Sequence, residues 1–148
     1  MVEKDLIKST LLAEIAKKKI AIEEDERRIN ESLSNQTKSS VGDKYETTRS
    51  MLHQELDKIK IRKGILIDYK RIIDQISHAI STEVTFGAVV LTSIGTFLVG
   101  PPLGKVHIDH EEIMCISVQA PLSKAMWGKK VGDHVLFNNR EIVIKSIY

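Results

Sequence analysis

The chain has 148 residues, a net charge of +2 and a single cysteine. That length holds one compact domain or two small ones, and so balanced a charge gives no global field toward nucleic acid, leaving any electrostatic partner to a local patch. One cysteine, Cys115, excludes an internal disulfide and suits a reducing, cytoplasmic compartment, with a buried strand position as its simplest role.

The N-terminus, Met1-Val2-Glu3-Lys4-Asp5, carries charges before any apolar stretch can form and does not read as a secretory signal. Residues 1–80 lack proline and contain glycine only at Gly42 and Gly64, which permits two long helices. In the first, Ile15, Ile22 and Ile29 recur every seven residues, supported by Leu11, Leu12 and Leu33. In the second, Leu52, Ile59, Leu66, Ile73 and Ile80 keep the same interval over four heptads, with Leu56, Tyr69 and Ile76 beside them. Such stripes are coiled-coil seams, each wide enough for one partner. The turn-forming cluster from Ser34 to Gly42 ends the first helix and reverses the chain. We therefore expect an antiparallel hairpin over 1–80, with arms of about 45 Å and cross-seam residue numbers adding to roughly eighty, as the similar arm lengths require.

That register has consequences for charge. It sets Lys17, Lys18 and Lys19 opposite Arg62 and Lys63, a basic girdle open to phosphate contacts, and sets Glu23, Glu24, Asp25 and Glu26 near Lys58 and Lys60. Most of these charges also fit a solvated flank with weak cross-helix ion pairs.

At the turn, residues 42–47 include Asp43-x-x-Glu46. An aspartate at the N-cap with a glutamate three residues on is a capping box. The same spacing at a helix start projects both carboxylates to one side. Two hard oxygen donors with no histidine or cysteine nearby suit Mg²⁺, whose remaining ligands are usually waters and phosphates. A chain supplying half a site in this way is expected to complete one belonging to a partner.

Beyond Ser81-Thr82-Glu83 the pattern changes to short β-branched runs, so 81–148 is expected to form a small β-rich domain. Val84 to Gly104 is uncharged and long enough to span a bilayer, but its glycines, prolines and hydroxyl residues favour strands in a soluble domain. The expected strands are 88–91, 96–99, 113–118, 134–137 and 141–147, the last two joined by a tight turn at Asn138-Asn139. Pro121 starts a short helix that Gly128 stops. Gly100-Pro101-Pro102-Leu103-Gly104-Lys105 is one residue short of a phosphate loop, with Val106 where a hydroxyl should bind Mg²⁺. His107, His110 and Cys115 have no recognised zinc spacing, and solvated loop histidines are the expected reading. No catalytic triad is visible. Leu122 and Met126 suit core packing, while Trp127 is a candidate contact with a partner.

Gly42-Asp43-x-x-Glu46 at a helical turn, followed by Ile116-Ser117-x-x-Ala120-Pro121-Leu122-Ser123-Lys124-Ala125-Met126-Trp127-Gly128-Lys129-Lys130-Val131-Gly132-Asp133, resembles the bacterial Gre transcript-cleavage factors. The resemblance extends over essentially the whole chain in the same order. It implies an α+β protein whose coiled-coil hairpin enters the secondary channel of RNA polymerase while an FKBP-like C-terminal domain docks at the rim. It further implies that Asp43 and Glu46 help the polymerase hold its second Mg²⁺ and cleave backtracked RNA. Such a protein would be monomeric, cytoplasmic and without a membrane contact. It would bind no cofactor alone, and it would be no enzyme by itself. The chain departs from the family pattern at Tyr45, Thr47, Ala120 and Ser123, where a small or polar residue, Asn, Ser and Gly are usual. Two alternatives stay open: a channel-binding regulator that does not promote cleavage, and a coiled-coil adaptor unrelated to transcription.

Overall fold

A computed structural model describes the backbone of residues 1–38 and 42–148 and the side chains of 1–36 and 45–148. The element order is α1 (Lys4–Lys38), α2 (Gly42–Asp74), β1 (Val89–Thr92), β2 (Gly95–Val99), β3 (Gly104–Ile108), β4 (Glu111–Ile116), α3 (Pro121–Met126), β5 (His134–Phe137) and β6 (Arg140–Ile147). This is the expected α+β order, two long helices followed by a sheet.

The described chain divides into two compact units, Ala13–Asp68 and Met1–Leu12 with Tyr69–Tyr148. The first turns of α1 and the last of α2 thus belong to the compact unit that carries the sheet. In the helical unit, Ile22 and Leu66 share one recess and Ile29 and Ile59 the next, so the arms run antiparallel. Ile15, Ile22, Ile59 and Leu66 are buried along the seam. Two features differ from expectation. Helix α1 continues through Ser34 to Lys38, because a cluster of weak breakers without proline or an internal glycine does not stop an established helix. Helix α2 ends at Asp74, so the fourth heptad step fails: Ile80 lies beyond the helix and is 74% exposed.

In the other unit, the carbonyls just beyond α2 find long-range donors. Lys8 Nζ donates to Ile76 O at 3.0 Å and Lys4 Nζ to Ala79 O at 2.7 Å, the use of lysine that a helix C-terminus favours. Burial lowers the pKa of the Lys4 ammonium. The carboxylate of Asp5 meets His78.

The six strands form one sheet in the order β3-β4-β2-β1-β6-β5. All neighbours are antiparallel except β2 and β4, where Leu98 pairs with Cys115 and Val99 with Ile116. One cluster joins Val84, Ala88, Val90, Val99, Ile142 and Ile144 to Met126 of α3. Across the sheet, Val89 opposes Leu98, Leu98 opposes Cys115 and Ile113 opposes Val106, all buried. Ile76 reaches this region: a Cβ on Gly100 would lie 3.5 Å from Ile76 Cδ1 and 3.8 Å from Leu98 Cγ. Asn138 and Asn139 take φ of 50° and 59° in the β5–β6 turn, as their residue types allow.

Strand β3 was hidden by the loop-like glycines and prolines before it. Its pattern nevertheless alternates, with Val106 and Ile108 buried between exposed Lys105 and His107, the period of a strand covered on one face. Gly104 opens it at φ 73°, a left-handed conformation that glycine adopts without strain.

Helix α3 begins after Ala120, which offers no side-chain cap. Ser123 is fully buried in it, and its Oγ has no hydrogen-bond partner. A buried hydroxyl without a partner costs about 1–3 kcal/mol. Ser123→Ala, which removes that hydroxyl and favours helix, is expected to raise stability by about 1 kcal/mol. A higher urea midpoint at unchanged slope is the measurement; a lower midpoint would mean that the hydroxyl is satisfied in solution.

Candidate functional site

The acidic motif opens α2. Because α2 begins at Gly42, Asp43 falls inside the first helical turn and not at the N-cap position of a capping box. Carboxylates in a first turn are favoured by the helix dipole. The side chain of Asp43 lies outside the described residues. That of Glu46 is exposed, and no hydrogen bond or ion pair involves it among the described residues. One turn on, Arg49 Nη1 donates to Tyr45 Oη at 2.9 Å, which occupies the tyrosine hydroxyl within the helix. Among the described residues no group of three or more His, Cys, Asp or Glu could hold a metal ion. The described residues thus offer an exposed carboxylate at the start of α2 and, among themselves, no complete cage.

The expected basic girdle comes together only at Lys18 and Arg62, which line one recess, while both of its α2 cations pair with carboxylates of α1. Arg62 Nη1 lies 3.4 Å from Asp25 Oδ2, and Lys63 Nζ lies 2.7 Å from Glu26 Oε2. Their residue numbers add to 87 and 89, one heptad from the expected eighty. Apolar seams that repeat every seven residues fit equally well in either register, which is why the stripes alone misplaced the charges. Lys17 and Lys19 pair along α1, with Glu14 and Glu23 at 3.4 and 3.9 Å. Lys18 shares a recess with Arg62 and Ile65. Arg28 donates to the other oxygen of Asp25 at 2.7 Å. The middle of the helical unit therefore carries several neutralising pairs, with Lys18, Glu24, Asp57 and Lys60 outside them among the described residues.

Helix α3 presents a different surface. Met126 is fully buried and Leu122 packs against the same cluster, while Trp127, next in sequence, is 47% exposed. The backbone after the helix is tied down: Gly128 N–H donates to Val84 O and Val84 N–H to Lys129 O, both at 2.8 Å. Trp127 is thereby held at the surface by a fixed segment.

The remaining sequence candidates separate. His107 stands on β3 opposite Glu112, at 3.9 Å, and is exposed. Cys115 is an odd number of residues from Glu112 along β4, so the pleat puts it on the other face. His110 occupies the tight β3–β4 turn. Burial pushes the Cys115 thiol up to about 12, which leaves it unreactive, because the thiolate is the nucleophile. Burial also raises Tyr148, whose Oη accepts from Val2 N–H at 3.3 Å. Both groups favour folding in their neutral forms. Their contribution is complete below the ordinary thiol and phenol pKa values and is lost as pH rises through the raised ones. Native protein at pH 8 is thus expected to resist thiol reagents that label Cys115 at once in urea, and stability is expected to begin falling above about pH 9, where the unfolded thiol ionises. Fast native labelling at pH 8 would contradict this burial.

No family model matches the chain, and no curated protein matches it. Among solved structures the chain is similar to the crystal structure of GreA factor homolog 1 (Gfh1) of Thermus thermophilus. The two are 23% identical, the match covers 88% of this chain and 94% of that one, and the TM-score is 0.36. No described helix is long and apolar enough to cross a membrane.

Proposed function

We propose that this protein is a transcription factor of the Gre type, which places its helical arms in the secondary channel of RNA polymerase and stimulates the polymerase to cleave backtracked RNA. The observation that carries the reading is the place of Asp43-x-x-Glu46. It opens the second of two antiparallel arms, and the Glu46 carboxylate is exposed there without a structural partner among the described residues. The resemblance of residues 116–133 to the family signature supports the same assignment, with exposed Trp127 in the docking surface.

In this reading the chain is not an enzyme alone. Asp43 and Glu46 add oxygen ligands to a Mg²⁺ that the polymerase already contacts, the donor type that ion prefers. When bound, the ion lowers the pKa of a coordinated water and stabilises charge on the phosphate oxygens. The carboxylates of this chain would help to hold that ion and would orient the water it binds. The arms deliver them, and the sheet-bearing unit docks. The factor acts as a monomer in the cytoplasm.

The test is a stalled, backtracked elongation complex from the same source, with 5′-labelled RNA, Mg²⁺ and purified protein. Shortened RNA that can be re-extended is the expected product. Intact RNA despite demonstrable polymerase binding would favour a regulator that occupies the channel without cleavage. Absence of binding would leave a coiled-coil adaptor.

A further inference from the structure

The apolar layers of the helical unit do not by themselves define how the arms align. Ile22 lies beside Leu66 and Ile29 beside Ile59. Sliding one arm by seven residues would put Ile22 at Ile59 and Ile29 at Leu52, apolar against apolar. What distinguishes the two alignments is charge. As observed, Asp25 faces Arg62 and Glu26 faces Lys63, and Arg28 adds a second cation to Asp25. In the slid alignment Lys18 and Lys19 would face Arg62 and Lys63, and Asp25 would face Glu55. Each pair is part-exposed and weak alone. An alignment is selected by differences, however: on sliding, Arg62 and Lys63 would exchange carboxylates for lysines and Asp25 would exchange Arg62 for Glu55, whereas the Asp25–Arg28 pair lies within α1 and is the same in both.

We propose that Asp25, Glu26, Arg62 and Lys63 are positioning residues that lock the register of the arms and so set the level at which the start of α2, with its acidic motif, stands against α1. A slip of one heptad, seven residues at about 1.5 Å each, would move the start of α2 and its acidic motif by about 10 Å along α1. The consequence for the motif rests on the function proposed above, whereas the register does not.

The test uses the full chain without polymerase and a short bifunctional thiol cross-linker. Ala21→Cys with Ile65→Cys reports the observed alignment, since the two positions line one recess. Ala21→Cys with Lys58→Cys reports the slid one, and buried Cys115 takes no part. The 21–65 product is expected to dominate in the parent and to persist in Arg62→Lys with Lys63→Arg, which keeps both charges. In Arg62→Glu with Lys63→Glu the product is expected to shift to 21–58, because Lys18 and Lys19 then meet carboxylates on sliding. Undiminished 21–65 product in the reversed variant would overturn the proposal, as would loss of both products with helix content retained by circular dichroism. Should the reversed variant lose helix, Arg62→Gln with Lys63→Gln decides: both products are expected, and the 21–65 product alone would overturn the lock. None of these outcomes bears on RNA cleavage, so failure here leaves the proposed function standing.

Discussion

Ile142→Ala is expected to lower the stability of the sheet-bearing unit by about 2–5 kcal/mol, toward the upper end of that range. Ile142 is 1% exposed at the centre of a cluster with Val90, Val99, Val135 and Ile144. It lies on β6, bonded on one side to β1 and on the other to β5. Removing its three outer carbons leaves a cavity walled partly by Val90 and Val99, on strands β1 and β2 that are held by ladders on both sides and have little freedom to collapse. The equivalent cut in the helical unit, Ile59→Ala, should cost less. The seam there is bounded by solvent-facing side chains such as Arg62 and Lys58, which line the same recess and can fold over the gap. Urea unfolding followed by the fluorescence of Trp127, the only tryptophan, reads the sheet-bearing unit directly. A loss below about 1 kcal/mol for Ile142→Ala would mean that the cluster repacks more freely than close packing allows.

The contrast between seam and sheet also separates what the sequence makes legible from what it hides. Heptads at Ile15, Ile22, Ile59 and Leu66 identify both helices and their buried faces, because the apolar period is the cause of the packing. The same period hides the register, since layers seven residues apart are interchangeable. The information that resolves it was present in the charges: Lys18-Lys19 against Arg62-Lys63 is repulsive, and Asp25-Glu26 against them is not. Ile80 keeps the interval of seven yet lies outside the helix, which shows that a repeat does not fix its own end. In the sheet, β5, β6 and their Asn138-Asn139 turn follow from local residue types. Strand β3 does not, because Pro101, Pro102 and Gly104 announce a loop more loudly than two alternating pairs announce a strand. The pairing of β2 with β4 in parallel, around β3, is a choice between sheet edges that no local pattern encodes. For the candidate site, the residue types at 43 and 46 were legible, but capping and metal binding call for the same carboxylates. The start of α2 at Gly42 is what separates Asp43 from the capping position.

On that basis, Asp43→Asn and Glu46→Gln are each expected to reduce stimulated RNA cleavage by about 100-fold or more, the scale of losing one group that acts on the transition state. Polymerase affinity should stay within a few-fold. Both substitutions keep size and hydrogen-bonding capacity and remove only the charge, and Glu46 makes no contact among the described residues that its amide would break. Helix stability should change by no more than about 0.5–1 kcal/mol, the share of a first-turn carboxylate in the helix dipole. The two losses should not add, because two groups acting on one water and one phosphate fail as a unit. Raising Mg²⁺ should partly restore cleavage in either single variant and not in the double, since one remaining carboxylate still adds to the ion's ligand set. Equal cleavage by parent and variants would assign the carboxylates to the helix dipole alone. Loss of polymerase binding in parallel with cleavage would make them contact residues of the channel wall, and cleavage would then have to be sought in groups elsewhere on the arms.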